Sequence, residues 1–167
     1  GSVAFVGLDG LEVSATDLAV EVNRGIAGTG GAADTVIDYS IQQLDVLAGP
    51  SDTVTLDSDG SLGQLMRAAG HLKLDVFGFA QLEGDLAFQK STASVKLAPK
   101  SGTVETVAVD LLAVGGENIS AFVGIRGGTE DQIGLALTDV DFALALMTSR
   151  ADATRKWTTL EASAGSV

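Results

Sequence analysis

The sequence predicts an all-β chain: an elongated repeat of strand-corner-strand units, built either as a β-solenoid or as a curled antiparallel sheet or sandwich. Three observations predict this. Apolar residues alternate with small or polar ones over short runs, as at Leu135 and Leu137, then Val140, Phe142, Leu144 and Leu146. Period-two alternation puts one set of side chains on one face of an extended strand. Glycine is abundant at 21 residues and proline scarce at 2, which suits short strands joined by tight turns. Finally, the same short patterns recur along the chain, as they do in stacked or arrayed strands.

The recurrences set the order of elements. Residues 4–10 and 121–127 share one seven-residue pattern, Ala-Phe-Val-Gly-x-x-Gly. Each is followed by a strand, a Thr-Asp break and a second strand. Aligning Asp17 with Asp139 places Val13, Ala15, Leu18, Val20 and Val22 on Leu135, Leu137, Val140, Phe142 and Leu144. The breaks at 16–17 and 138–139 are too short for a loop and suit a corner or a bulge. A looser relative spans residues 77–88, with Gly84 and Asp85 at the corner.

Between these units, residues 25–33 are a glycine-rich loop. Residues 36–47 hold one strand, followed by a loop closed at Gly49 and Pro50. Residues 54–56 are a short strand, and Asp57-Ser58-Asp59-Gly60 is a turn. The best helix candidate is 62–69, ended by Gly70. Residues 71–79 alternate as a strand. Residues 104–114 are a further strand, ended by Gly115 and Gly116. No stretch reads as an interdomain linker, so residues 1–167 are taken as one domain.

The two ends resemble each other. The chain starts Gly1-Ser2-Val3 and finishes Gly165-Ser166-Val167. Reading the tail onto the head gives residues 160–167 followed by Ala4 and Phe5, which parallels residues 11–20. A fourth unit is therefore completed where one copy's tail meets another copy's head. A cloning leftover at Gly1-Ser2 is the competing account.

Composition narrows the function classes. The chain carries 22 acidic and 10 basic residues, a net charge of −12, which argues against a nucleic-acid partner because phosphate contacts need a basic surface. It is 46% hydrophobic, yet its uninterrupted apolar runs, such as 142–147, fall far short of a bilayer span, so no membrane insertion is expected. No basic, hydrophobic leader is visible. Without cysteine there are no disulfides, zinc-thiolate sites or thiol nucleophiles.

Candidate chemistry is sparse. Asp57 and Asp59 in the Asp-Ser-Asp-Gly turn are the calcium candidates, because calcium wants several converging oxygens. A plain Asx turn explains the same four residues, and Leu62 stands where an EF-hand loop needs glycine. The corner residues Asp17, Asp85, Asp139 and Asp141 could share a cation if the units stack, or could accept hydrogen bonds from backbone N–H groups at the bends. His71, the sole histidine, has no serine or acid at a diagnostic spacing. Trp157 reads as the cover of a core edge, with Arg155 and Lys156 in water. No catalytic site is expected and no cofactor beyond calcium.

Five segments carry a resemblance: Phe-Val-Gly-Leu-Asp-Gly-Leu-Glu-Val-Ser (5–14), Val-Glu-Val-Asn-Arg (20–24), Leu-Asp-Val-Phe-Gly-Phe (74–79), Ala-Phe-Val-Gly-Ile-Arg-Gly-Gly (121–128) and Trp-Thr-Thr-Leu-Glu-Ala-Ser (157–163). Together they resemble the long tandem repeats of giant bacterial surface proteins. The resemblance implies an extracellular or cell-surface, adhesin-like or matrix-forming protein, and no catalytic residues. Such proteins commonly carry calcium-binding Gly-Gly-x-Gly-x-Asp segments, which this chain lacks. The expected role is a structural module stacking head to tail with copies of itself through strand pairing. The alternative is a monomeric adhesive or carbohydrate-binding β domain.

Overall fold

The structure, a computed structural model, describes residues 3–5, 11–26, 35–98 and 102–166, with side chains for all of these except 3–5 and 166. The paired seven-residue pattern at 4–10, most of the 25–33 loop and the terminal Gly-Ser-Val matches therefore lie largely outside the described residues. Nine strands are seen among the described residues: β1 (Val3–Phe5), β2 (Leu11–Asn23), β3 (Leu44–Leu47), β4 (Thr53–Leu56), β5 (Leu65–Val76), β6 (Ala80–Leu97), β7 (Glu105–Ile125), β8 (Ile133–Ser149) and β9 (Lys156–Ser166). Seven form one sheet in the order β1-β2-β5-β6-β7-β8-β9, while β3 and β4 pair only with each other.

Every ladder of the main sheet is antiparallel. The sheet is open, which overturns the solenoid alternative: strands as long as the 21 residues of β7 run up and down instead of winding short coils. The antiparallel-sheet alternative holds. Two local expectations are also corrected. Residues 62–69 are not a helix; a 3-10 turn covers only Gly60–Leu62, and β5 starts at Leu65. Good helix formers there are overridden by pairing on both sides, to β2 and β6. Gly115 and Gly116 do not end a strand either. They lie mid-β7, where the Phe142 ring from β8 covers Gly116.

The Thr-Asp breaks are β-bulges inside continuous strands. At Asp17 (φ 52°) the β2–β5 register shifts between Thr16 and Ala19, and at Asp139 (φ 51°) β8 slips against β7. A third bulge, at Asn118 (φ 53°) in β7, sits opposite Gly84 of β6. Asp and Asn tolerate the left-handed region better than other side-chain-bearing residues, so their short polar side chains suit these points. Asp141 Oδ1 accepts from the Asn118 N–H at 2.9 Å, the backbone-satisfying role that a bend aspartate can take.

Register divides the sheet into two faces. On one, Val20 and Val22 of β2, Ala68 and Met66 of β5, and Phe88 and Lys90 of β6 line up across the strands. The same face continues through Val114 and Leu112 of β7, then Leu144 and Leu146 of β8. Between residues 11 and 90 the opposite face is mostly polar, with Glu21, Arg67, Lys73, Glu83 and Asp85, apart from buried Leu65; across β7 and β8 the same face carries Val107, Val109, Leu111, Phe122 and Met147. The buried apolar residues are few among those described: Leu65, Val107, Val109, Ile119 and Phe122. Leu65, Val107 and Val109 gather toward one end of the sheet, with buried Asn23, Ser91 and Ser149 on neighbouring rungs. Asn23 donates to Ile37 O (2.8 Å), which ties the segment between β2 and β5 to that end.

That segment has its own order. Asp38 accepts from the Ser40 hydroxyl (2.6 Å) and the Gly60 N–H (3.1 Å). These hydrogen bonds, the Ser40 one first, hold its carboxyl below the usual range.

At the opposite end, β5 turns into β6 through Phe77 (φ 53°) and Gly78 (φ 66°), closed by Phe79 N–H to Val76 O (2.9 Å). Two positive φ values are the signature of a primed hairpin turn, which favours Asn-Gly. Phe77 is exposed and bulky, a poor occupant of that region. Phe77→Asn is therefore expected to raise stability by about 1 kcal/mol, checked by urea unfolding. The turn is held by Asp75, which accepts from Gln81 Nε2 (2.6 Å) and Gly78 N–H (2.8 Å); the Gln81 bond is the larger cause of its lowered pKa.

Candidate functional site

Two regions could do something: a polar level across the middle of the sheet, and the two outer edges. In the first, ladder pairing puts Thr16, His71, Asp85 and Glu117 on one rung. His71 Nδ1 lies 3.0 Å from Asp85 Oδ1, and Nε2 lies 3.5 Å from Glu83 Oε1. The hydrogen bond to Asp85, then that to Glu83, raises the imidazole pKa above its ordinary 6.5. This histidine has acidic neighbours that its sequence spacing did not reveal, because they come from the next strand.

A raised folded pKa gives a definite sign. The charged imidazole stabilises the fold below pH 6.5, and that contribution is lost as pH rises through the folded value. Wild type is thus expected to lose a small increment of melting temperature as pH rises above 6.5, and His71→Gln to lack it. Melting curves across that window, at low salt, check the difference.

The corner carboxylates share this level but not a point. Among the described residues, no group of three or more His, Asp or Glu side chains is placed to hold a metal ion. Asp59 caps the 3-10 turn, accepting from Ser61 N–H at 2.8 Å, while Asp57 sits on the exposed link before it. Trp157 is half-buried on β9, as expected of an edge cover. Arg155 is not simply in water: its guanidinium lies 5.3 Å from the Trp157 ring centroid and makes two 3.0 Å bonds to Glu105. No described helix is long and apolar enough to cross a membrane.

The edges are the more unusual region. β1 pairs β2 only from Val13 to Ala15. Beyond that, from residue 16 to 23, the outer side of β2 meets no strand among the described residues. On the other side β9 pairs β8 from Thr138 to Thr148, and the outer side of residues 133–137 meets no strand among the described residues. Apolar side chains accompany both gaps: Val20 and Val22 are 64% and 55% exposed, Ile133 and Leu135 63% and 56%. Soluble proteins usually blunt such edges with lysine or proline. Here neither proline, at 50 and 99, falls in a described strand, and the open stretch of β2 carries no lysine. Unpaired N–H and C=O groups with an apolar row beside them can take up a further strand.

No family model matches the chain, no curated protein is similar to it, and no solved structure matches it.

Proposed function

We propose that this chain is a structural repeat module of an extracellular bacterial filament, surface layer or giant adhesin, stacking head to tail with copies of itself through β-strand pairing. One observation carries the reading: among the described residues nothing covers the sheet's apolar face or pairs with the outer stretches of β2 and β8. The accessible surface is 11,610 Å² for a 16.9 kDa chain. A compact monomer of that mass exposes about 7,700 Å². The excess, roughly 3,900 Å², exceeds the surface that a standard two-protein interface buries from both partners together. Surface of this kind is what a module leaves for its neighbours. The recurring strand-bulge-strand pattern of the sequence supports the repeat. The resemblance to surface-protein repeats supports an extracellular setting.

Light scattering and negative-stain electron microscopy of the purified chain test it. Growth of linear particles with concentration is expected. A strictly monomeric particle at millimolar concentration overturns the reading. A second reading, a monomeric adhesive or carbohydrate-binding domain, is favoured by Phe77 and Phe79, 60% and 57% exposed at one hairpin tip, since sugars stack on such rings. It predicts saturable glycan binding by the monomer that Phe79→Ala removes.

A further inference from the structure

The side of the sheet that carries Val20 and Phe88 is almost free of charge. Register follows this face across β2, β5, β6, β7, β8 and β9, from the rung of Leu11 and Val76 to the rung of Val22 and Met66. Among the described residues paired on those rungs, Lys90 is the one charged side chain that falls on it. Carboxylates of the same strands, such as Glu21, Asp85, Glu117 and Asp141, fall on the other face. Leu18 lies over Gly70, Ile119 over Gly84 and Phe142 over Gly116, so neighbouring strands fill the gaps that glycine leaves in the apolar face. The segment between β2 and β5 is tied to the other side: Asn23, which shares a face with Glu21, donates to Ile37 O.

We infer that this face packs against the same face of a second copy, so that two chains form one two-layer β-sandwich. The head-to-tail reading uses the sheet edges; this contact goes beyond it and needs neither edge.

Area and charge both favour a copy as the occupant. Strands about 4.8 Å apart, rising about 3.3 Å per residue, give the field roughly 1,100 Å². Two such faces remove roughly 2,200 Å² from water together, more than a standard interface and within the range of obligate homodimers. A two-fold contact uses one patch twice, so a single uncharged face is enough to build it. Each chain carries a net charge of −12, and copies repel wherever their carboxylates approach. Packing through the apolar face turns both acidic faces outward, with two sheets about 10 Å apart between them. Lys90 does not oppose this. It stands on the last rung of the field, beside Thr92 and Asp110 on the next, where its ammonium reaches water at the rim.

Sedimentation equilibrium of the chain is expected to show a dimer as the smallest populated species at micromolar concentration. Phe88→Glu is expected to dissolve that dimer, and Ala87→Glu, the same charge one residue away on the other face, to leave it intact. Both positions lie on the inner strand β6 and are exposed in the single chain, so each variant should keep its far-UV circular dichroism. A thiol readout covers the case in which Phe88→Glu does not fold, since the chain has no cysteine of its own. Labelling of Met66→Cys, on the apolar face, is expected to slow about tenfold once roughly nine copies in ten are paired, while Arg67→Cys keeps its rate. A chain that stays monomeric at millimolar concentration overturns the inference, and so does a dimer in which both thiols label alike. Phosphatidylcholine vesicles that float the monomer and protect Met66→Cys make lipid the occupant and overturn it too. Linear particles that form equally well with Phe88→Glu overturn the face contact and leave head-to-tail stacking standing. A dimer that builds no linear particles does the reverse.

Discussion

Phe122→Ala is expected to cost about 3 kcal/mol, a large share of the stability of an ordinary domain. Phe122 is only 6% exposed in a chain with few buried side chains. Its ring lies against three glycines, Gly124 and Gly134 on one cross-strand rung and Gly127 in the turn beyond. A Cβ built on Gly127 would come within 2.7 Å of the ring, and one on Gly134 within 3.0 Å, so the ring fills the space those residues leave. Truncation empties it, and the glycines beside it have no side chain to fall inward. The midpoint of thermal unfolding should drop by roughly 10 °C. Phe122→Leu, which keeps most of the volume, should recover part of the loss.

The second large effect is expected at Gly84. A Cβ there would lie 2.6 Å from Ile119 Cδ1 and 2.8 Å from Ile119 Cα. The flexible end of Ile119 could turn away, but its backbone is held by the β7 bulge and the ladder to Val140. Gly84→Ala should therefore cost about 2 kcal/mol, with Gly84→Val worse. Gly115→Ala is the matched control. It adds the same methyl group mid-strand, where the nearest atom is 3.9 Å away, and should be neutral or slightly stabilising. Denaturant midpoints of the three variants give the comparison directly.

The strands were legible because their alternation is strong. Leu135 to Leu146 reads as it folds, and the Thr-Asp pairs mark bulges because Asp tolerates a positive φ. Asn118 was less legible as a bulge: Asn also tolerates a positive φ, but Glu-Asn-Ile-Ser carries no Thr-Asp break, and the residue it faces, Gly84, comes from the neighbouring strand. Residues 62–69 misled because helix propensity is local, while β5 is decided by partners on both sides. Gly115-Gly116 misled for a related reason: glycine weakens a strand unless a ring lies over it, and Phe142 is 26 residues away in sequence. The candidate site was half visible. The carboxylates that meet His71 across the strands, and the rungs that stay open among the described residues, depend on ladder register and length that no local pattern encodes.

Between residues 11 and 90 the two faces of the sheet are unlike, and this has a consequence for liquids. A surface that is wetted on one side and water-shedding on the other lowers the tension of any boundary it reaches. Spread on a Langmuir trough, this part of the sheet should lie flat in the film, with Val20 and Phe88 toward the air and Glu21 and Arg67 in the subphase.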